Sequence, residues 1–318
     1  MSLSPDAPPP LAAKLAPRLH ALADQGIHFG TSSWKYPGWL GSIYSPERYV
    51  TRSKFSQKKF DEHCLTEYAE TFTTACGDFA FYQFPSTDFW AKLFGAVPSG
   101  FVFGFKVPEH ITVIRWPKHA RYGVQAGQDN ESFLDVGLLS KRFLDRLEPY
   151  ADRVGPLIFE FATFNKGQFP ATANFYNRLE EFLSALPKGW RYAVELRNPE
   201  YLSPDYFDLL RGYGVAHVLN AWTRMPPLEE QIELPGVTTA NFVVARALLA
   251  KGKKYEESVK DFAPFDRIQE VQEEARTALV QIAQRAKKRK APAFLFVNNR
   301  LEGNAPLTIE AVVNRLGV

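Results

Sequence analysis

Residues 192–220 read YAVELRNPEYLSPDYFDLLRGYGVAHVLN, and this stretch decides the fold. Tyr192 to Leu196 is short, mostly apolar and rich in strand formers. Ser203-Pro204 then supplies a helix cap with proline in the first turn, ahead of Tyr206, Leu209 and Leu210 on one helical stripe. Ala216 to Asn220 is a second apolar run. Strand, helix and strand in 29 residues is a parallel crossover unit, because strands buried on both faces read as continuous apolar runs.

The same alternation extends in both directions. The other strand-like runs are Ile27 to Ser33, Thr73 to Phe79, Phe101 to Val107, Leu157 to Phe161, Phe242 to Ala245 and Phe294 to Val297. Helical stripes lie between them. Phe60, Cys64, Tyr68 and Phe72 form one, and Phe89 with Leu93 follows a Ser86 cap. Phe143, Leu144 and Leu147 form another, as do Phe175, Leu179, Phe182, Leu183 and Leu186. A long stripe, Ile268, Val271, Ala275, Leu279, Ile282 and Ala286, ends in Lys287 to Lys290, cations suited to a helix C-terminus. Thr308 is read as the cap of a last helix carrying Val312 and Leu316.

Strand followed by helix, eight times, predicts an α/β fold, a single closed (β/α)8 TIM-like barrel. The structural alternative, a doubly wound open sheet, needs a glycine-rich phosphate loop after its first strand. Here Thr31-Ser32-Ser33-Trp34 follows Gly30. The 318 residues exceed the roughly 250 typical of the fold. The excess is assigned to an N-terminal extension, residues 1–26, and to a long loop after strand 3, from Pro108 to about Leu138. Residues 27–318 then form the barrel domain.

Composition limits the function classes. Apolar residues make up 45% of the chain and the formal net charge is +3. This mild basicity permits an anionic ligand without demanding one. Cys64 and Cys76 fit no metal or redox spacing, so they read as thiols in a reducing compartment. No run reaches a membrane span, and the N-terminus, broken by Pro5, Pro8 to Pro10, Lys14 and Arg18, lacks the apolar stretch of a signal peptide. A cytoplasmic protein without membrane association is expected.

Barrel active sites form at the C-terminal ends of the strands. Those ends carry Ser32, Ser33 and Trp34; Asp78, Tyr82 and Gln83; Lys106; Glu160; Glu195 and Arg197; Asn220 and Trp222; Arg246; and Asn298, Asn299 and Arg300. Buried charges are costly unless paired, so such a rim needs an explanation. One is a polar pocket, with Lys106, Arg197 and Arg246 binding an anionic or hydroxyl-rich ligand and Glu160 and Glu195 as acid/base candidates. The other is a ring of ion pairs that only plugs the barrel. The crowded aromatics Trp34, Tyr36, Trp39 and Tyr44 suit either a stacking wall over a ligand or a satellite core. His110 and His119 match no metal-ligand spacing, so no metal site is assigned and the cofactor is left open. Ser32 and Ser33 lack the context of a nucleophile elbow.

These residues resemble the YecE-like bacterial family, designated domain of unknown function 72. The resemblance rests on Gly30-Thr31-Ser32-Ser33-Trp34 with Tyr36, Trp39-Leu40-Gly41 and Tyr44; on Phe81-Tyr82-Gln83-Phe84-Pro85-Ser86; and on Pro98-Ser99-Gly100-Phe101-Val102-Phe103-Gly104-Phe105-Lys106. Gly155-Pro156-Leu157, Val194-Glu195-Leu196-Arg197, Arg246 and Asn298-Asn299 complete it, over residues 27–317. It implies a TIM-like barrel and no established reaction. Cys76 and Asp78 stand where the family carries Glu and Asn, Glu160 where it carries Gln, and Asn198 where it carries His. These departures imply a changed ligand or a lost activity.

Three functions follow as expectations. The first is an enzyme or former enzyme binding a small polar or anionic, sugar- or phosphate-like ligand. Its ligand-binding set is Trp34, Tyr36, Trp39, Asp78, Tyr82, Lys106, Arg197, Asn220, Arg246, Asn298 and Asn299. The second is nucleic-acid or phosphodiester binding, drawing on Lys251 to Lys254 and Lys287 to Lys290. The third is a non-catalytic binding barrel.

Overall fold

All eight predicted strands form. In the computed structural model, which describes residues 8–165 and 167–318, they are β1 (Ile27–Thr31), β2 (Thr74–Gly77), β3 (Val102–Lys106), β4 (Val154–Glu160), β5 (Arg191–Glu195), β6 (Ala216–Ala221), β7 (Val243–Ala247) and β8 (Ala293–Val297). Each pairs in parallel with its sequence neighbours, and β1 pairs with β8 to close the barrel. Met1 to Ala7, with Pro5 among them, lie outside the described residues.

β4 starts three residues earlier than the sequence suggests and includes Gly155-Pro156. Proline cannot donate to a ladder, and the β3–β4 register shifts between Phe103 and Phe105. The β1–β2 seam has a single paired position, Thr31 with Ala75. A Cβ at Gly30 would lie 2.2 Å from the Thr74 carbonyl oxygen, so only glycine permits this approach. Tyr68, from the helix Gln57–Thr71, bridges the seam: its hydroxyl accepts from the Thr31 N–H and donates to the Thr74 carbonyl, both at 3.0 Å.

Period-two alternation sorts the strand residues. One face packs outward on the helices. The other fills the barrel with Cys76, Ile158, Ala193, Val218, Val244 and Phe296 among its buried members. One step further along each strand toward its C-terminal end come Asp78, Lys106, Glu160, Glu195, Asn220, Arg246 and Asn298. The apolar plug is therefore the floor beneath the charged residues.

Two readings of the surrounding elements need correction. The helix carrying Leu279 begins at Glu273, so Ile268 and Val271 precede it and Val271 is exposed. The last helix, Ala305–Leu316, is capped by Asn304, whose side chain accepts from the Leu307 N–H. Thr308 lies inside that helix and donates to Glu302. After β6 the only helix before β7 is the single turn Leu228–Gln231. There the buried Gln231 accepts from the Asn220 N–H and donates to the Asn220 carbonyl, satisfying the end of β6.

The first helix, Pro10–Ala23, buries Leu11, Leu15, Leu19 and Leu22 in the same core as the barrel. It packs on β1 and the helix Gln57–Thr71. The described part of residues 1–26 thus packs on the barrel. The long loop after β3 has its own small core of Val113, Trp116 and Tyr122. Glu109 ties it down by accepting from the Tyr122 hydroxyl at 2.9 Å.

Candidate functional site

Six charged groups meet at the C-terminal mouth. Glu160 stands at the centre, with Lys106 Nζ 3.3 Å, Arg197 Nη2 3.0 Å and Arg246 Nη1 2.6 Å from its carboxylate. Glu195 lies beside it in register on β5 and pairs with Arg197 at 2.6 Å and with Arg246. Asp78 closes the set more loosely, with Lys106 at 3.5 Å and Arg246 at 3.6 Å. Three carboxylates thus face three cations.

Their depths differ, and depth decides what each can do. The Glu195 side chain is 0% exposed, Glu160 15% and Asp78 40%. Glu195 can only anchor the two guanidinium groups, whereas Glu160 can be reached from solvent. Burial alone would raise the Glu160 carboxyl, but Lys106, Arg197 and Arg246 overcome this and hold it well below the usual carboxylate range. Burial likewise opposes the charge on Lys106, yet Glu160 and Asp78 outweigh it and raise its pKa. Glu160 is therefore an anion in this arrangement and cannot donate a proton.

Aromatic rings orient two of the cations. Lys106 Nζ sits 3.8 Å from the centroid of Phe81, and Arg197 stacks 4.0 Å over Trp222. Phe81 belongs to the Phe81-Tyr82 motif, and nothing in its local sequence reveals that its ring meets Lys106. Several buried polar atoms in the mouth have no hydrogen-bond partner: Arg197 Nη1, Arg246 Nε, Asn220 Oδ1 and Asp78 Oδ1. Unsatisfied groups of this kind are costly in a purely structural cluster.

The remaining candidates divide. Trp39 is fully buried and packs against Tyr36 and Tyr44, so the stacking-wall reading is corrected for it: its ring belongs to the core. Trp34 is also buried, against Tyr68, Phe79 and Phe103. Tyr36 is half-buried against Phe265. Tyr82 is exposed and carries the Arg121 guanidinium 4.5 Å over its ring. Asn298 caps the turn Asn299–Glu302 through the Arg300 N–H, and Asn299 accepts from the Ala305 N–H at 2.7 Å. Asn198 accepts from the Phe164 N–H at 2.6 Å and so holds the loop after β4.

Two lysines of the first basic run have local partners. Lys253 pairs with Glu270 at 2.7 Å and Lys254 with Glu257 at 3.0 Å. Lys287, Lys288 and Arg289 occupy the last turn of their helix. The His110 ring packs against Phe84 and Trp116. Among the described residues, no group of three or more His, Cys, Asp or Glu is arranged to hold a metal.

A family model described as "Protein of unknown function DUF72" matches residues 28–318. The chain belongs to the DUF72 family. Within that family it is similar to a crystal structure of a DUF72 protein from Thermotoga maritima, with 18% identity, a TM-score of 0.56, and coverage of 92% of this chain and 97% of that one. A DUF72 protein from Enterococcus faecalis gives 17% identity, a TM-score of 0.58, and coverage of 92% and 96%. At this identity the likeness shows the shared DUF72 fold alone. The UPF0759 protein YecE of Escherichia coli K12 is 25% identical over 178 residues, 56% of this chain and 50% of that protein. The match thus spans about half the length of that relative. Among the described residues no helix is long and apolar enough to cross a membrane.

Proposed function

We propose that the barrel mouth is an enzyme-type site for a small polar ligand bearing an anionic group, held by Lys106, Arg197 and Arg246, with Glu160 as the reacting carboxylate. One observation carries this reading: three cations converge on the solvent-reachable Glu160 while Arg197 Nη1 and Arg246 Nε remain without partners. Unpartnered N–H groups beside a solvent-reachable carboxylate favour a ligand site over a closed ring of ion pairs.

An incoming anion shares those three cations with Glu160. The carboxylate then loses part of the charge that keeps its pKa low, and its proton affinity rises. Ligand binding thereby turns an inert anion into a general base, while Glu195 keeps both guanidiniums in place from below. Asn220 Oδ1 supplies an acceptor for a ligand hydroxyl or amine.

The test is calorimetric titration of the full chain with inorganic phosphate, sulfate and citrate, beside thermal melts. At least one anion is expected to bind and to raise the melting temperature, and Lys106→Met and Arg197→Gln to weaken it by tenfold or more, on the order of 1.4 kcal/mol. Lys253→Met, on the surface, serves as the control and should bind as the wild type does. Absence of any anion response in the folded wild type, or retention of it in both mouth variants, overturns the reading.

A further inference from the structure

Asp78 stands between two features. On its inner side, Oδ1 is buried and faces Lys106 at 3.5 Å and Arg246 at 3.6 Å, the longest ion-pair contacts in the mouth, and it makes no hydrogen bond. On its outer side it edges a cavity of about 430 Å³ between the helices Gln57–Thr71 and Thr87–Gly95. Trp34, Leu65, Phe79, Phe89, Leu93 and Ala96 form its apolar walls, and two lysines, Lys35 and Lys92, and two carboxylates, Asp61 and Glu62, also line it. Ser32, at the strand end, lines the same cavity with a buried hydroxyl that has no partner.

Local chain geometry sets this arrangement. A Cβ at Gly77 would fall 2.3 Å from the Phe79 ring, so glycine lets that ring fold back over the end of β2. Phe79 then packs against Trp34 and Phe89 on the groove side, while Asp78 reaches the cations.

We propose that mouth and groove form one binding site for an amphipathic acid, a carboxylate or phosphate monoester on an aromatic or short aliphatic body, with the Asp78 carboxylate holding the head-group position until the ligand displaces it. This rests on the anion reading of the mouth and names its ligand class. Asp78 has the charge of such a head group, touches the cations that would receive one, and is bound most weakly of the three carboxylates. Its contacts exceed hydrogen-bond length, and although Oδ1 is buried the side chain as a whole is 40% exposed, so it has an outlet to solvent when displaced. The groove has the size and the mainly apolar lining of a small-ligand pocket, and Asp78 joins it to the cations with which it pairs. An inorganic anion would fill the mouth and leave the groove empty; an acid with an apolar body fills both.

The experiment compares phenyl phosphate and benzoate with inorganic phosphate and acetate, by calorimetry on the full chain. Wild type, Asp78→Asn, Ala96→Phe and Phe89→Ala are each checked for folding by thermal melts. Wild type is expected to bind phenyl phosphate at least about tenfold more tightly than inorganic phosphate, as burying a ring allows. Asp78→Asn should tighten both by roughly tenfold, since the competing like charge is gone. Ala96→Phe, which fills the groove, should bring phenyl phosphate down to the affinity of inorganic phosphate; Phe89→Ala, which strips a wall, should reduce the aryl preference. Inorganic phosphate binding without any aryl preference, or an aryl preference that survives Ala96→Phe, overturns this inference and spares the anion reading. No anion binding by wild type or Asp78→Asn overturns both.

Discussion

Glu160 and Glu195 occupy the same level of adjacent strands, and both carboxylates are held by one nitrogen, Nη1 of Arg246. Two like charges so placed repel each other. Arg246, 2% exposed, lets them coexist together with Arg197, whose Nη2 also contacts both, and the carboxylates in turn keep the Arg246 pKa well above the ordinary value against the opposing effect of burial.

Removing that cation should therefore cost more than removing an ordinary core group. Arg246→Met leaves Glu195 fully buried with Arg197 as its only cation, and is expected to destabilise the fold by about 3–5 kcal/mol. Urea unfolding at neutral pH measures it. A double variant, Arg246→Met with Glu195→Leu, should recover part of the loss, because the stranded charge goes with it. A loss under about 1 kcal/mol for the single variant would mean that Arg246 contributes little to the barrel.

The β1–β2 seam offers a second test. Tyr68→Phe leaves the Thr31 N–H and the Thr74 carbonyl without their phenol partner where the ladder is thinnest. A destabilisation of about 1–3 kcal/mol is expected, the cost of unpaired buried polar groups. Hydrogen exchange should show faster opening of β1 and β2 than of β6 and β7, and uniform protection around the barrel would contradict this role.

His217, buried on β6 beside Tyr206 and Phe207, gives a pH dependence. Burial lowers its pKa from 6.5 to about 3. Its unfolded form binds a proton that the folded form refuses, so its contribution to stability is full above pH 6.5 and falls as the pH drops toward 3. The slope is about 1.4 kcal/mol per pH unit, or roughly 3 kcal/mol between pH 6.5 and pH 4. Unfolding titrations should show a shallower acid limb in His217→Phe than in wild type, and parallel limbs would refute the assignment.

Trp222 should act on ligand binding rather than on fold. Arg197 stacks on its ring at 4.0 Å, which orients the guanidinium toward Glu160. Trp222→Ala is expected to weaken anion affinity several-fold, with a stability change near 1 kcal/mol. Trp222→Phe should restore most of the affinity, because it keeps an aromatic face. Equal affinity in all three proteins would remove Trp222 from the site.

Much of this arrangement was legible in the chain. Eight apolar runs separated by helical stripes specify the barrel, because the two periodicities leave few other ways to bury these side chains. Once the barrel is assumed, strand direction brings Lys106, Glu160, Glu195, Arg197 and Arg246 to one end. Trp39 could not be placed in the same way: an aromatic in a glycine- and proline-broken loop has equal reason to stack on a ligand or to enter the core, and the loop's close docking at Gly38, where a Cβ would lie 2.1 Å from the Pro264 carbonyl oxygen, sends it inward. Reading Thr308 as the cap, a role that Asn304 fills, fails for a related reason, since either residue type can cap and only the chain path selects one.

The sequence by itself determined the fold class, the number and order of strands, and which charges gather at the rim, because these depend on local periodicity and chain direction. Tertiary structure alone decided that Glu195 is sealed while Glu160 and Asp78 are open, that Phe81 and Trp222 pack on the cations, and that Asp78 both pairs with those cations and lines a groove between two helices. Depth and cross-strand contact arise between segments far apart in the chain, and no local pattern encodes them.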